Sequence, residues 1–124
     1  MRRIAGVFAL IAVLSCGDDT PSGPSPGALE VRLNGPSGAG AALLIVEGGA
    51  IDAVEAAGHF TASAPYSGTA KRVLVAGQNL GGLLVRIRVP DRRTTYRASV
   101  VQIADGTTYQ LLDPAAFEAT IERP

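Results

Sequence analysis

The sequence has no tryptophan and only one cysteine, one histidine and one methionine among 124 residues. A single thiol excludes an internal disulfide, so the fold must depend on core packing and backbone hydrogen bonds. One histidine and one cysteine are too few for a typical zinc site, and we expect no metal and no cofactor. A Ser-His-Asp hydrolase would have to use His59 as its base. Nothing near His59 in the sequence supplies the other two members, and we read it as a loop residue.

Net charge is also lacking, since the sequence has eleven basic and eleven acidic residues. Without Arg2 and Arg3, nine basic residues remain and the rest of the chain carries a net charge of −2. Domains that bind nucleic acid usually present a clearly basic surface, so we expect no nucleic acid partner. A hydrophobic content of 47% is too high for a disordered chain and is typical of a packed domain.

No hydrophobic run is long enough to cross a bilayer, which takes about 20 residues. The first run, Ile4 to Leu14, has eleven uncharged residues and follows Arg2 and Arg3. A positive start and a run within roughly 7–15 residues are typical of a cleaved export signal. This stretch therefore predicts export rather than a membrane-spanning helix.

The end of the run, Val13-Leu14-Ser15-Cys16, resembles the lipobox of bacterial lipoproteins: an aliphatic residue at −3, a small residue at −1 and cysteine at +1. Leu14 at −2 is bulkier than is commonest there. The resemblance implies that residues 1–15 are a signal peptide and that Cys16 carries the lipid. Two or three acyl chains would anchor the protein firmly to the membrane. Gly17 at +2, in place of aspartate, favours the outer membrane if the cell is Gram-negative.

Residues 16–27 comprise this cysteine and a linker. Its eleven residues GDDTPSGPSPG include three prolines, three glycines and two serines, the composition of an extended linker. At about 3.1 Å per residue it would hold a domain up to roughly 35 Å from the lipid. Gly23 to Gly27 match G-x-S-x-G, but the prolines around Ser25 exclude the strand-turn-helix context of a nucleophile elbow.

Residues 28–124 predict a single domain in the all-β class. Short alternating apolar segments are separated by turn signals every 8–12 residues, which is typical of an antiparallel β-sandwich. We expect about eight or nine short strands. Ala41 to Val46 is apolar throughout and predicts a strand covered on both faces. Residues 50–57 are ambiguous between strand and helix, and the strand is favoured.

Two later segments give sharper expectations. In Leu83 to Val89, alternation places Leu83, Val85, Ile87 and Val89 on one side and Leu84 with two arginines on the other. Asp105-Gly106 predicts a two-residue type I′ hairpin turn, since both residues tolerate positive φ. Asp113-Pro114 predicts a turn or a single helical turn.

Five segments within residues 28–124 carry a second resemblance, namely ALEVRL, ALLIV, IDAV and LLVRIRV, followed by VVQIAD. Together they resemble the cohesin-type jelly-roll sandwich of bacterial surface proteins. An immunoglobulin-like arrangement stays open as the alternative. The resemblance implies binding rather than catalysis. Cohesins of cellulosomes bind dockerin modules, but the sequence has no partner-binding signature to carry over.

Two groups of residues are candidate binding sites. The first is the densest charge feature, five arginines within twelve residues, which is either a solvated sheet face or a docking face for an acidic partner or anionic envelope polymer. The second is a pair of tyrosines on paired strands, which either pack in the core or stack against sugar rings. The arginines are Arg86, Arg88, Arg92, Arg93 and Arg97, and the tyrosines are Tyr96 and Tyr109.

Other motifs indicate no site. Asp91, Asp105 and Asp113 fall in three separate turns without a calcium-loop pattern, and we interpret them as solvated turn acids. Residues 77–82 are glycine-rich but lack the Gly-Lys-Ser/Thr ending of a phosphate loop, so we expect a hairpin loop. The sequence thus predicts a non-enzymatic, lipid-anchored envelope protein that binds or scaffolds an envelope protein or polysaccharide. A carbohydrate-binding module is the main alternative and a small hydrolase the remote one.

Overall fold

The computed structural model describes residues 23–64 and 70–124. The leader and Cys16 lie outside these described residues. The described part contains nine strands and one 3₁₀ helix, Pro114–Ala116, and no α-helix. The strands are β1 Gly27–Asn34, β2 Ala39–Glu47, β3 Ala53–Ala56, β4 Thr61–Ser63, β5 Ala70–Ala76, β6 Gly82–Val89, β7 Arg97–Asp105, β8 Leu111–Leu112 and β9 Glu118–Glu122.

The strands form two sheets in which every described pairing is antiparallel. The four-stranded sheet has the order β9-β1-β6-β3, and the five-stranded sheet has the order β4-β5-β2-β7-β8. Their inner faces share one continuous hydrophobic core. The expected antiparallel β-sandwich of eight or nine strands is confirmed, and residues 50–57 do contribute a strand, β3. The finer resemblance to cohesins stays a prediction.

Alternation along the strands builds this core. Leu29, Val31 and Leu33 of β1 are buried, while Glu30 and Arg32 between them lie on the outer side. Fully burying a leucine or valine side chain stabilises the fold by roughly 1.5–3 kcal/mol. Because the described core holds many such side chains from both sheets, packing stabilises the domain without a disulfide.

One core residue of β6 departs from the sequence pattern. The pairing of β6 with β1 shifts between Val31 and Arg32, which leaves Leu84 as an extra residue in β6. Such a β-bulge reverses the side to which the following residues point. Leu84 is therefore buried with an exposure of 0%, beside the equally buried Val85, and Leu83 is only half-buried. The expectation that Leu84 faces outward with the arginines of β6 is wrong.

The central strand β2 is covered on one face only. Ala42 and Leu44 are buried against the other sheet, whereas Leu43 and Ile45 on the outer face are half-buried. The continuous apolar run was expected to have cover on both faces, and this expectation is wrong for the described residues. The outer apolar residues instead belong to an exposed face of the five-stranded sheet.

The β7–β8 hairpin forms, but not with the expected turn. The Asp105 amide donates to the Gln110 carbonyl at 2.9 Å, and the Tyr109 amide donates to the Asp105 carbonyl at 3.0 Å. These bonds close a loop over residues 106–110 instead of a two-residue turn. The positive φ falls on Tyr109, at 63°, and not on Gly106. After β8, the expected helical turn is present, since the Asp113 side chain caps the 3₁₀ helix by accepting from the Ala115 amide.

Candidate functional site

The linker joins the sandwich at one end. Gly27, the first residue of β1, pairs with Val89, the last residue of β6, so residues 23–27 lie next to the turn that follows β6. We call residues 23–27 and 90–93 the tether end. β1 and β6 run from it for about eight residues, or roughly 25 Å at 3.3 Å per residue. The loops that follow β1 and precede β6 therefore lie at the opposite end.

Hydrogen bonds fix residues 23–25, the described end of the linker, to the turn that follows β6. The Ser25 amide donates to Asp91 Oδ1 at 3.3 Å, and the Arg92 amide donates to the Ser25 carbonyl at 2.7 Å. The Arg93 guanidinium donates to the Gly23 carbonyl at 2.6 Å and to Asp91 Oδ1 at 3.0 Å. Hydrogen bonds from the Arg93 side chain, and then from the Arg93 amide, lower the pKa of Asp91 to about 2. Ser25 is thus an anchoring residue of the linker.

Two of the five arginines singled out in the sequence lie together on the outer face of the four-stranded sheet. Arg88 Nε donates to Glu55 Oε2 at 3.2 Å, and Arg86 Nε lies 3.7 Å from Glu30 Oε2. Arg32 adds a further cation, paired with Glu30 at 3.1 Å. Basic and acidic side chains therefore alternate on this face, and each arginine already has a carboxylate within ion-pair distance.

The other three arginines lie elsewhere. Arg92 and Arg93 belong to the tether end, where Arg93 is paired with Asp91. Arg97 begins β7 in the five-stranded sheet, opposite Glu47. The structure therefore does not bring the five arginines together on one docking face, because the turn after β6 carries the chain from one sheet to the other.

The two tyrosines also lie apart. Tyr96 is 6% exposed, and its hydroxyl donates to the Ala50 carbonyl at 2.6 Å. Burial, and then the nearby carboxylates of Asp52 and Asp91, raise the pKa of Tyr96. Tyr96 is therefore a packed residue without a free ring face, which matches the core-packing alternative and not sugar stacking.

Tyr109 has the opposite environment. Its side chain is 82% exposed, and its φ of 63° lies in the left-handed region. A bulky residue in this region is uncommon and costs conformational energy that glycine or asparagine largely avoids. Neither core packing nor backbone geometry explains an aromatic residue at this position.

Three loops form an open groove at the end opposite the tether, which we call the distal groove. It has a volume of about 500 Å³ and lies between the β1–β2, β5–β6 and β7–β8 loops. The Gly106 amide donates to the Gly38 carbonyl at 2.8 Å, and the Gly38 amide donates to Asn79 Oδ1 at 2.9 Å, which tie the loops together. The groove is lined by Ser37, Gly38, Gly77, Gln78, Asn79, Gly106 and Thr107.

One segment of this groove, residues 77–82, differs from the expected structure. Residues 77–82 were expected to form a hairpin loop, but β5 and β6 lie in different sheets, so this segment crosses between the sheets. Its Asn79 has a φ of 56°, which with Tyr109 makes two positive-φ residues other than glycine in the described chain. Both belong to loops that form the distal groove. The sequence signals only that these loops contain glycine, and this does not show that the loops contact one another in the fold.

One sheet face is unusually apolar for a surface. On the outer side of the five-stranded sheet, Leu74 is 50% exposed, Val101 39% and Leu111 69%, with the half-buried Leu43 among them. Contiguous apolar surface of this kind is typical of a region that contacts another molecule. The outer face of the four-stranded sheet, with its ion pairs, has the opposite character.

The residues rejected as catalytic or metal-binding are dispersed. His59 is exposed in a turn, and the three turn aspartates lie at the tether end, the β7–β8 loop and the 3₁₀ helix. Within residues 23–64 and 70–124, no group of three or more histidine, cysteine or acidic side chains is placed to hold a metal ion. The Asp105 carboxylate accepts from the amides of Thr107 and Thr108, which lowers its pKa.

The segments that the structure describes contain no helix that is long and apolar enough to span a membrane. Comparison of the chain with models of known protein families, with curated proteins and with solved structures finds no match.

Proposed function

We propose that this chain is a lipid-anchored envelope protein whose β-sandwich binds or scaffolds a partner without catalysing a reaction. The observation that carries the proposal is the succession of an eleven-residue apolar run, Ser15-Cys16 and a proline- and glycine-rich linker in front of a packed domain. The structure adds that the linker meets the sandwich at one end, where Ser25 bonds to the turn after β6. In this arrangement the loops of the opposite end point away from the lipid.

Metabolic labelling with an alkyne-bearing fatty acid tests the anchor. The wild-type chain should incorporate the label and fractionate with membranes, and Cys16→Ser should lose both properties because the chain has no other thiol. Thr20→Ser, a conservative change in the linker, is the matched control and should keep both. An unlabelled wild-type protein, or a mature start other than Cys16, would refute the lipid anchor.

The sorting residue provides a second test in a Gram-negative host. Gly17→Asp should shift the protein from the outer to the inner membrane on a density gradient, since aspartate at +2 favours inner-membrane retention in the family that the lipobox resembles. Asp18→Asn should leave the distribution unchanged. Identical distributions of Gly17→Asp and wild type would contradict outer-membrane sorting.

The docking hypothesis now concerns two of the five arginines, Arg86 and Arg88, because only these two share one face. Since Arg86 and Arg88 have Glu30 and Glu55 as neighbours, an acidic partner would have to displace these carboxylates. The Arg88–Glu55 pair is exposed and contributes little stability, and Glu30 keeps Arg32 as a partner when Arg86 is replaced. Arg86→Ser with Arg88→Ser should therefore fold normally. Capture of an envelope partner by wild type and its loss in the double variant would support docking here. Equal capture would identify a solvated face.

A further inference from the structure

The distal groove has the chemistry of a site for a neutral, hydroxyl-rich ligand. Its lining side chains offer hydroxyl and amide groups, from Ser37, Thr107, Gln78 and Asn79, and none is charged. Three glycines expose the backbone between these groups. The volume of about 500 Å³ lies within the range of about 300–1,000 Å³ that is usual for small-molecule sites.

One carboxylate, that of Asp105, lies beside the groove, with Oδ1 3.6 Å from the position that a Cβ atom of Gly38 would take. Asp105 Oδ2 accepts from the Thr107 amide at 3.1 Å, the Thr108 amide at 2.7 Å and the Thr108 hydroxyl at 3.0 Å. These bonds hold the β7–β8 loop in shape and occupy Oδ2. An anionic ligand would meet this carboxylate without a cationic side chain on the lining to offset it, which leaves a neutral ligand as the better fit.

Tyr109 supplies the second observation. It lies in the same loop, two residues after Thr107, with its side chain 82% exposed and its backbone in the left-handed region. Strained residues of this kind cluster at ligand sites, where a functional side chain offsets the cost. An exposed aromatic ring on a loop that also lines the groove is suited to the apolar face of a pyranose ring.

We propose that the distal groove binds a neutral carbohydrate, with Tyr109 stacking against a sugar ring and the loop hydroxyls and amides bonding to its hydroxyl groups. This inference rests on the proposed binding function and names the class of ligand. The site lies on the side of the domain opposite the linker, so a polymer could reach it while the lipid stays in the membrane.

Isothermal titration calorimetry on the detergent-solubilised lipoprotein tests the proposal. The probes are maltohexaose, cellohexaose and chitohexaose as neutral oligosaccharides, with hexagalacturonate as the acidic comparison. At least one neutral probe should bind, and hexagalacturonate should not. Tyr109→Asn should weaken binding about tenfold, the loss expected when one ring face no longer covers the sugar. Tyr109→Phe, which keeps the ring, should stay within about twofold of wild type.

Thermal unfolding of the same variants separates a binding role from a structural one. Asparagine tolerates the left-handed region, so Tyr109→Asn should melt at the wild-type temperature or roughly 5 °C above it. A lower melting temperature would show that the ring supports the fold and would overturn the proposal. So would the absence of binding to all three neutral probes, or equal binding by wild type and Tyr109→Asn. Fatty-acid labelling of Cys16 is unaffected by these outcomes, so failure of the groove leaves the anchor proposal standing.

Discussion

The bulge in β6 allows a test that distinguishes the burial pattern of the structure from the pattern that simple alternation in the sequence predicts. Leu84 is fully buried, and Leu83 is half-buried on the other side of the strand. Leu84→Ala removes three methylene-sized groups from a packed core and leaves a cavity, and such substitutions cost roughly 3–5 kcal/mol. Leu83→Ala leaves no enclosed cavity, and the lost partial burial amounts to about 1 kcal/mol.

The two variants form a matched pair, because both change a leucine to alanine at adjacent positions of one strand. For a domain of this size, about 1 kcal/mol shifts the melting temperature by roughly 4–8 °C. Leu84→Ala should therefore lower it by at least about 12 °C, and Leu83→Ala by about a third of that. Circular dichroism melting and urea titration both measure the difference. A larger loss of stability for Leu83→Ala than for Leu84→Ala would mean that Leu83 faces the core, as simple alternation predicts, and would refute the bulge.

Three further predictions concern single contacts. Tyr96→Phe removes the hydroxyl that donates to the Ala50 carbonyl and should cost about 1–2 kcal/mol in urea unfolding; an unchanged midpoint would mean that the bond contributes nothing. Gly48 has a φ of 134°, and a Cβ atom there would clash with the Thr95 carbonyl oxygen, so Gly48→Ala should destabilise the fold by more than about 2 kcal/mol, whereas Gly58→Ala, with open space around it, should cost about 1 kcal/mol. Because the pKa of Asp91 is lowered from 3.8 to about 2, the attachment of Ser25 should be fully present above about pH 4 and lost as the pH falls towards 2; amide exchange of Arg92 measures it, and an equally steep acid transition in Asp91→Asn would contradict the assignment.

The sequence predicted the sandwich because period-two burial is a local signal that each strand carries independently. Leu29, Val31 and Leu33 alternate with polar residues, and this pattern alone fixes which side of β1 faces the core. The pattern fails at Leu84, since a bulge depends on the register with a neighbouring strand and leaves no mark in the strand's own sequence. The wrong turn at Asp105-Gly106 has a local cause instead, since the carboxylate of Asp105 accepts from the amides of Thr107 and Thr108 and so stabilises a longer loop.

The candidate site was less predictable than the fold. The lining of the distal groove comes from three loops that are separated by whole strands, and their contact depends on the order of strands across two sheets. The arginines show the reverse case, in which closeness in sequence does not give closeness in space. Arg93 and Arg97 are four residues apart but lie on different parts of the sandwich. Tyr109 was singled out as a sugar-stacking residue, but its backbone strain, which strengthens the argument, is visible only in three dimensions.

The position of the groove and the length of the linker together limit which ligands could reach it. Because residues 23–25 are bonded to the sandwich, only residues 17–22 can separate it from Cys16, a length of up to roughly 20 Å at about 3.1 Å per residue. The strands add about 25 Å between the tether end and the distal groove. The distal groove is neutral and would lie several tens of ångströms from the bilayer, at the depth of envelope polymers rather than of lipid. Deleting residues 18–22 shortens the linker and keeps the bonded residues 23–25. The deletion should reduce binding of the intact cell-surface protein to a soluble oligosaccharide much less than its binding to an extended, cell-wall-attached polymer. An equal effect on both would argue against this geometry.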